Sequence, residues 1–355
     1  MTAMHAPHSW FFRSVALGLL LFAAKWTAAQ TPSPALLVLE KSDNSLAIVD
    51  PTSLKITARV PVGQDPHEIV TSADGKEAYV SNYGGNDSNL NTIAVVDLAA
   101  RKDLPPIDLG ALHSAHGLDF AGGKLYFTVE TNKAFGRYDP ATQKIDWVLG
   151  TGQDRTHMIL VSHDLDRIVT SNVNSATISI IERVTPPAPP PGVPPGPGGP
   201  RKTWKITNVP AGRGVEGFDV SPDGKEIWAA NALDGTVTII DVASKKAVQT
   251  LPISVDHANR LKFTPDGKRV LISGLGPAAA SNGSNLEILD AATHKDIKQL
   301  NLGGGSAGIL IVADGSRAFV AVSEKNKVAV VDLKSLEVTG EIPTGRQPDG
   351  LAWAQ

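Results

Sequence analysis

With 355 residues, 42% apolar and 19% charged, the chain has material for a sizeable core. Its net charge of -3 and aromatic content of 5% speak against a nucleic-acid surface. It has no cysteine, which excludes disulfides, thiolate metal sites and thioether haem attachment together.

Taken in order, residues 1–29 read as a targeting segment. Arg13 supplies the positive region, Val15 to Ala24 an apolar run too short to span a bilayer comfortably, and Thr27-Ala28-Ala29 the small residues before a cleavage point at Gln30. The expectation is a signal peptide over 1–29 and a single domain over 30–355, exported to a bacterial periplasm or beyond it. Lys25 and Trp26 interrupt the cleavage region, and an uncleaved anchor is the alternative.

The rest of the chain repeats one unit. Its clearest copy is VEGFDVSPDGKEIWAANALDGTVTIIDV, Val215 to Val242, in which three short apolar runs are separated by Pro222-Asp223-Gly224-Lys225 and by Asp234-Gly235. These are hairpin corners between strands. The third run recurs seven times, ending at Asp50, Asp97, Asp139, Glu182, Asp241, Asp290 and Asp332, and a fourth strand such as Lys246 to Pro252 follows each. Four strands in a unit of about 42 residues is the period of a propeller blade. Pro348 to Trp353 matches only a first strand, whereas Leu36 to Asp50 matches a second and a third. The two ends therefore complete one blade, and the fold class expected is an all-β, seven-bladed β-propeller closed by pairing its terminal strands.

Three stretches, KEAYVSNYGGN from Lys76, KEIWAANALDGTVTIIDV from Lys225 and RAFVAVSEKNKVAVVD from Arg317, give the chain its likeness to known proteins. It resembles the YVTN-type β-propeller repeat family over nearly all of residues 35–355. The resemblance implies the seven-bladed fold. It leaves function open, since related propellers include lactonases, lyases, surface-layer proteins and nucleic-acid binders.

One interval is wider than the others because it contains Thr185 to Pro200, TPPAPPPGVPPGPGGP, between the third and fourth strands of one blade. Its proline density favours an extended, solvated loop. It reads either as a tolerated surface excursion or as a docking segment for a protein partner or the cell wall. Third-to-fourth strand connections open on the face away from the start of the first strands, so it would not cover the site described next.

First strands line a propeller's channel. Aligned on Ile69, Leu118, Ile159, Phe218, Leu261, Ile309 and Leu351, they place His67, His116, His157, Glu216, Asn259, Ala307 and Asp349 in one ring, two residues earlier. Three histidines and a glutamate on consecutive blades far exceed random placement. Two residues further up lie Asp65, Ser114, Arg155, Gly214, His257, Gly305 and Gln347, expected to share the facing of the ring, with His113 and Glu68 on the opposite facing.

Imidazoles and a carboxylate converging on one axis suit a transition-metal ion, copper, zinc or iron before calcium or magnesium. In the leading reading His67, His116 and His157 ligate the ion, Glu216 completes or supports its shell, and His257 or Arg155 orients a small-molecule substrate in the channel for hydrolytic, lyase or oxidative chemistry. Two other readings stand beside it: a wet polar ring that only hydrogen-bonds water, in a non-catalytic envelope scaffold, and a metal-free site with a histidine as general base on an ester or lactone. The remaining signals are weaker. Gly304 to Gly308 matches GxSxG without the helix a nucleophile elbow needs, and reads as a connector. The Asp-Gly turns lack the further carboxylates of a calcium loop. His163 and His294 fall in solvated turns, and Asn82, Asn132, Asn172 and Asn231 read as turn caps.

Overall fold

The computed structural model describes residues 1–2, 34–84, 90–187, 202–276 and 283–355. Within them, 28 strands form seven antiparallel sheets of four, the propeller that the repeat predicts. Blade 1 begins at the inner strand Pro66–Thr71, blade 2 at Ala115–Ala121 and blade 3 at Thr156–Val161. Blades 4, 5 and 6 begin at Val215–Val220, Ala258–Phe263 and Ile309–Ile311. Blade 7 is composite. Its inner strand, Pro348–Ala354, pairs with Ala35–Glu40, and Ser45–Asp50 and Lys55–Pro61 follow, so the N-terminal stretch supplies a fourth strand as well as the second and third. The leader beyond residue 2 and residues 188–200 of the proline-rich insertion lie outside the described residues. The strands flanking the insertion, Thr177–Val184 and Thr203–Pro210, pair as the third and fourth of blade 3.

Position within a blade dictates composition. Second strands such as Glu226–Asn231 and Arg317–Val322 are buried on both faces and read as unbroken runs of apolar and small residues. Fourth strands are the outer edge, and Lys246–Pro252 is exposed at every residue except Leu251. The first-to-second turns are fastened by their aspartates. In blade 1 Ser72 Oγ and the Lys76 amide donate to Asp74 Oδ1 at 2.7 and 3.2 Å, and in blade 4 Ser221 and Lys225 repeat this on Asp223 at 2.7 and 3.1 Å. The Lys225 ammonium with these bonds in blade 4, and these bonds with the Lys76 ammonium in blade 1, hold the carboxyl groups of Asp223 and Asp74 down to about 2.

No blade has a core of its own. The buried apolar residues form seven clusters, each shared by two neighbouring blades: Leu37, Leu46 and Val80 join blades 7 and 1, and Val38, Phe319 and Val330 join blades 6 and 7. Closure by Pro348–Ala354 therefore completes two of the seven interfaces as well as one sheet.

Near the axis the inner strands are irregular. In blades 1 to 5 and in blade 7 the register slips so that two consecutive residues oppose one: His67 and Glu68 lie against Ser81, and His116 and Gly117 against Thr128. The residue at this level, one place after the ring, alternates in kind around blades 1 to 6. It is Gly117, Gly217, Gly308 and Gly350 in blades 2, 4, 6 and 7, and Glu68, Met158 and Arg260 in blades 1, 3 and 5. The reason is crowding. A Cβ on Gly117 would stand 2.4 Å from the His157 carbonyl oxygen, and one on Gly217 2.4 Å from that of Asn259.

Gly117→Ala should therefore cost about 1–3 kcal/mol by overpacking. Gly150→Ala, where an added Cβ meets nothing within 4 Å, should change stability by less than about 0.5 kcal/mol. Urea denaturation of the two variants checks the contrast. The depressed carboxyls of Asp74 and Asp223 stabilise the fold above the ordinary carboxylate range, and this contribution is lost as pH falls toward 2. Unfolding followed between pH 4 and 2 should be less steep with pH in Asp223→Asn than in the parent.

Candidate site in the central channel

Backbone shape at the top of each blade determines which side chains reach the channel. Asp65, Ser114, Arg155, His257 and Gln347 hold φ between 49 and 59°, and Gly214 has φ 69°. This left-handed corner precedes each of these inner strands, so strand alternation does not continue up to that level as the sequence reading expects. Each corner carbonyl accepts a hydrogen bond from the residue just past the second strand: Asp65 from Tyr83, Ser114 from Glu130, Arg155 from Val173, Gly214 from Ala232, His257 from Leu275 and Gln347 from Lys41. The repeat thereby brings a further set of side chains to the channel mouth, and the inner-strand alignment does not reveal them.

The three ring histidines do come together. His67 Nδ1 lies 3.1 Å from His116 Nε2, and the rings of His116 and His157 stack with centroids 3.6 Å apart. His116 and His157 are each 2% exposed. Around them stand residues from the newly found set. Glu130 Oε1 is 2.5 Å from His157 Nδ1, and Glu130 Oε2 accepts the Tyr83 hydroxyl at 2.6 Å. Arg155 Nε donates to Glu130 Oε1 at 3.3 Å. Asp65 Oδ2 lies 3.3 Å from His67 Nε2, and Asp349, held by Lys41 at 3.4 Å, lies 4.0 Å from His67 Nδ1.

Glu216 is engaged elsewhere. Its carboxylate accepts from the Asn259 amide and stands 3.6 Å from Arg155 Nη1. Arg155 thus links Glu216 to the histidine cluster through Glu130, and the carboxylates in direct contact with ring histidines are Glu130 and Asp65. His257 lines a cavity beside Arg155 and Glu216. Ala307 contributes no polar group.

The bulges account for Glu68 and Arg260. The sequence reading turns Glu68 away from the ring, yet the doubled residue of blade 1 brings it to the axis, where its carboxylate accepts from the Arg260 guanidinium. Blades 1 and 5 are not neighbours, so this ion pair crosses the channel. Arg260 also donates to the Asn259 side chain at 3.0 Å. Beyond the bar lies a funnel of about 370 Å³ walled by Ile69, Leu118, Ile159 and Phe218, with Glu68 and Arg260 at its inner end.

Partners determine the tautomers. Asp65 and Glu130 are acceptors, so His67 carries its proton on Nε2 and His157 on Nδ1. His67 Nδ1 then accepts from His116 Nε2, which leaves His116 Nδ1 as a lone pair, and that atom is buried with no hydrogen-bond partner. Burial, which disfavours the charged form, pushes His116 well below the usual histidine range and keeps it neutral. Burial alone would raise the Glu130 carboxyl, but the bonds from His157 and Tyr83 and the charge of Arg155 hold it below its ordinary value. Tyr83, half-buried and bonded to that carboxylate, is pushed up to about 12. Five carboxylates (Asp65, Glu68, Glu130, Glu216, Asp349) face three permanent cations (Lys41, Arg155, Arg260) in this connected network. A neutral imidazole lone pair without a donor, in surroundings of negative balance, suits a metal cation. Among the described residues, no three such side chains already converge at coordination distance.

The weaker signals resolve plainly. Ser306 is buried and donates to the Gly304 carbonyl at 3.0 Å, as a connector residue does. Asn132, Asn172 and Asn231 brace loops; the Asn132 side chain accepts the His113 amide at 2.8 Å, and that of Asn231 accepts the Gly212 amide at 3.0 Å. His294 is less solvated than expected, because its ring packs edge-on against Trp228 of the preceding blade.

No family model matches the sequence, and no curated protein matches it. Solved structures match the fold. One is a functionally unknown protein from Desulfotomaculum acetoxidans, 13% identical, covering 91% of this chain and 99% of its own, with a TM-score of 0.70. Another is the hydrazine synthase of Kuenenia stuttgartiensis, 19% identical over 81% of this chain and 89% of that one, TM-score 0.65. A third is a Bacteroides uniformis protein whose assignment as a 6-phosphogluconolactonase is provisional, 14% identical over 90% and 99%, TM-score 0.70. At such identities the likeness establishes the propeller alone.

The bar across the channel is testable by a double-variant cycle. Arg260 has a side chain only 9% exposed, so Glu68→Gln should leave a buried charge unpaired and cost about 3–5 kcal/mol. Adding Arg260→Met should recover most of that loss, as read from urea midpoints.

Proposed function

We propose that this chain is an exported propeller whose channel binds one transition-metal ion at His67, His116 and His157 and uses it on a small molecule. The observation that carries the reading is the buried, unpartnered Nδ1 of His116 between two other imidazoles. The excess of carboxylates around it supports a cation, and the leader over residues 1–29 supports export. When bound, copper, zinc or iron would act as a Lewis acid or redox centre. The protein's own groups do the rest. Glu130 keeps the proton of His157 on Nδ1 and turns its Nε2 to the site, Tyr83 and Arg155 hold Glu130, and Asp65 orients His67. The Glu68–Arg260 bar closes the far end, so substrate and water enter from the corner side.

A second reading draws on the His157–Glu130 contact. A carboxylate that fixes Nδ1–H leaves Nε2 ready to take a proton, which is the arrangement of a general base acting on an ester or lactone without a metal.

Elemental analysis of protein purified without a histidine tag separates the two. The metal reading expects close to one copper, zinc or iron per chain, and expects His116→Ala to lose it while the melting temperature falls by only a few degrees. A folded, metal-free wild type that hydrolyses lactones, with the activity lost in Glu130→Gln, would replace it with the second reading.

A further inference from the structure

The channel mouth is divided. The residues past the second strands are Lys41, Tyr83 and Glu130 on blades 7, 1 and 2, but Val173, Ala232 and Leu275 on blades 3, 4 and 5. On the apolar side a cavity of about 420 Å³ opens, and blade 4 explains it. Its corner residue is Gly214, with no side chain to fill the space; a Cβ there would stand 2.8 Å from Leu233. The corners on either side carry nitrogen donors, Arg155 and His257, and both line the cavity. Arg213 forms the rim, aimed by Asp234, which accepts from both its amide and its Nε at 2.7 Å. Leu233, 61% exposed, supplies an apolar wall at the surface.

We infer that this cavity binds a small organic anion: one anionic headgroup set between Arg155, Arg213 and His257, with a compact apolar body against Val173 and Leu233. Glu216 also lines the cavity, but it faces Arg155 and takes the Asn259 amide, while Asp234 takes the Arg213 amide and Nε, so the Arg213 Nη groups and His257 are what is left for the ligand. The volume lies within the range of small-molecule pockets. Arg155 connects the cavity to the histidines, because its Nε bonds the same Glu130 oxygen that holds His157. Naming the anion as the substrate rests on the function proposed above; the binding itself does not.

The test uses the whole chain and four probes of nearly one shape: phenylacetate, phenyl phosphate, 2-phenylethanol and 2-phenylethylamine, titrated by calorimetry with and without prior metal removal. At least one anion should bind about tenfold or more tightly than the alcohol and the amine, and the tighter of the two anions identifies the headgroup. Arg213→Ala, at an exposed rim position, should weaken that anion about tenfold. Gly214→Asn, which tolerates a left-handed corner and fills the space, should abolish binding, with the fold checked by circular dichroism. His116→Ala should lose metal yet still bind the anion. Equal binding of all four probes, binding of none, or affinity unchanged in both Arg213→Ala and Gly214→Asn overturns the inference and leaves the metal reading standing. A metal-free wild type that binds phenylacetate as described sinks the metal reading and keeps the pocket.

Discussion

Seven inner strands have to share one axis, and the space they leave is too small for seven side chains at the level of the bulge. Four blades yield with glycine, and the neighbours of those glycines place Glu68, Met158 and Arg260 into the room released. Much of the functional architecture follows from that packing constraint. An ion pair, Glu68 with Arg260, crosses the channel at that level. Burial among its neighbours is what leaves His116 neutral and without a partner on Nδ1.

The legible part of this protein is the part that repeats. The aspartates ending the third strands, the Asp-Gly corners and the incomplete unit at each end lead to seven blades and to their closure, because every blade solves the same hairpin problem with the same residues. The ring of His67, His116 and His157 was legible too, once the inner strands were aligned. Glu68 and Arg260 were not, because alternation is a rule for unbroken strands and a bulge puts two neighbours at the axis together. A signal was present, in His116-Gly117, Glu216-Gly217, Ala307-Gly308 and Asp349-Gly350, where glycine one place after the ring marks the crowded level. Glu130, Tyr83 and Lys41 escaped for another reason. They follow second strands, whose own residues are buried between blades, and only the hydrogen bond to the left-handed corner turns the next residue toward the channel.

Within one repeated scaffold the mouth is chemically lopsided. Blades 7, 1 and 2 bring a lysine, a tyrosine and a carboxylate; blades 3, 4 and 5 bring valine, alanine and leucine at the same positions. Arg155 belongs to both sides, touching Glu130 on one and lining the cavity on the other. Near-symmetry of the backbone thus coexists with a directional site. Specialisation in such a fold costs little, since a corner or post-strand residue can change without disturbing the sheets that carry it.

The composite blade links this chemistry to the order in which the chain is made. His67, His116 and His157 leave the ribosome early, whereas Pro348–Ala354 emerges after every other blade and brings Asp349 with it. Until that strand docks, Lys41 lacks its carboxylate and His67 has only one of its two carboxylate neighbours, Asp65. An unfinished chain would therefore carry the imidazoles with one carboxylate fewer beside them. The strand that closes the ring of blades also adds the last charge to the channel.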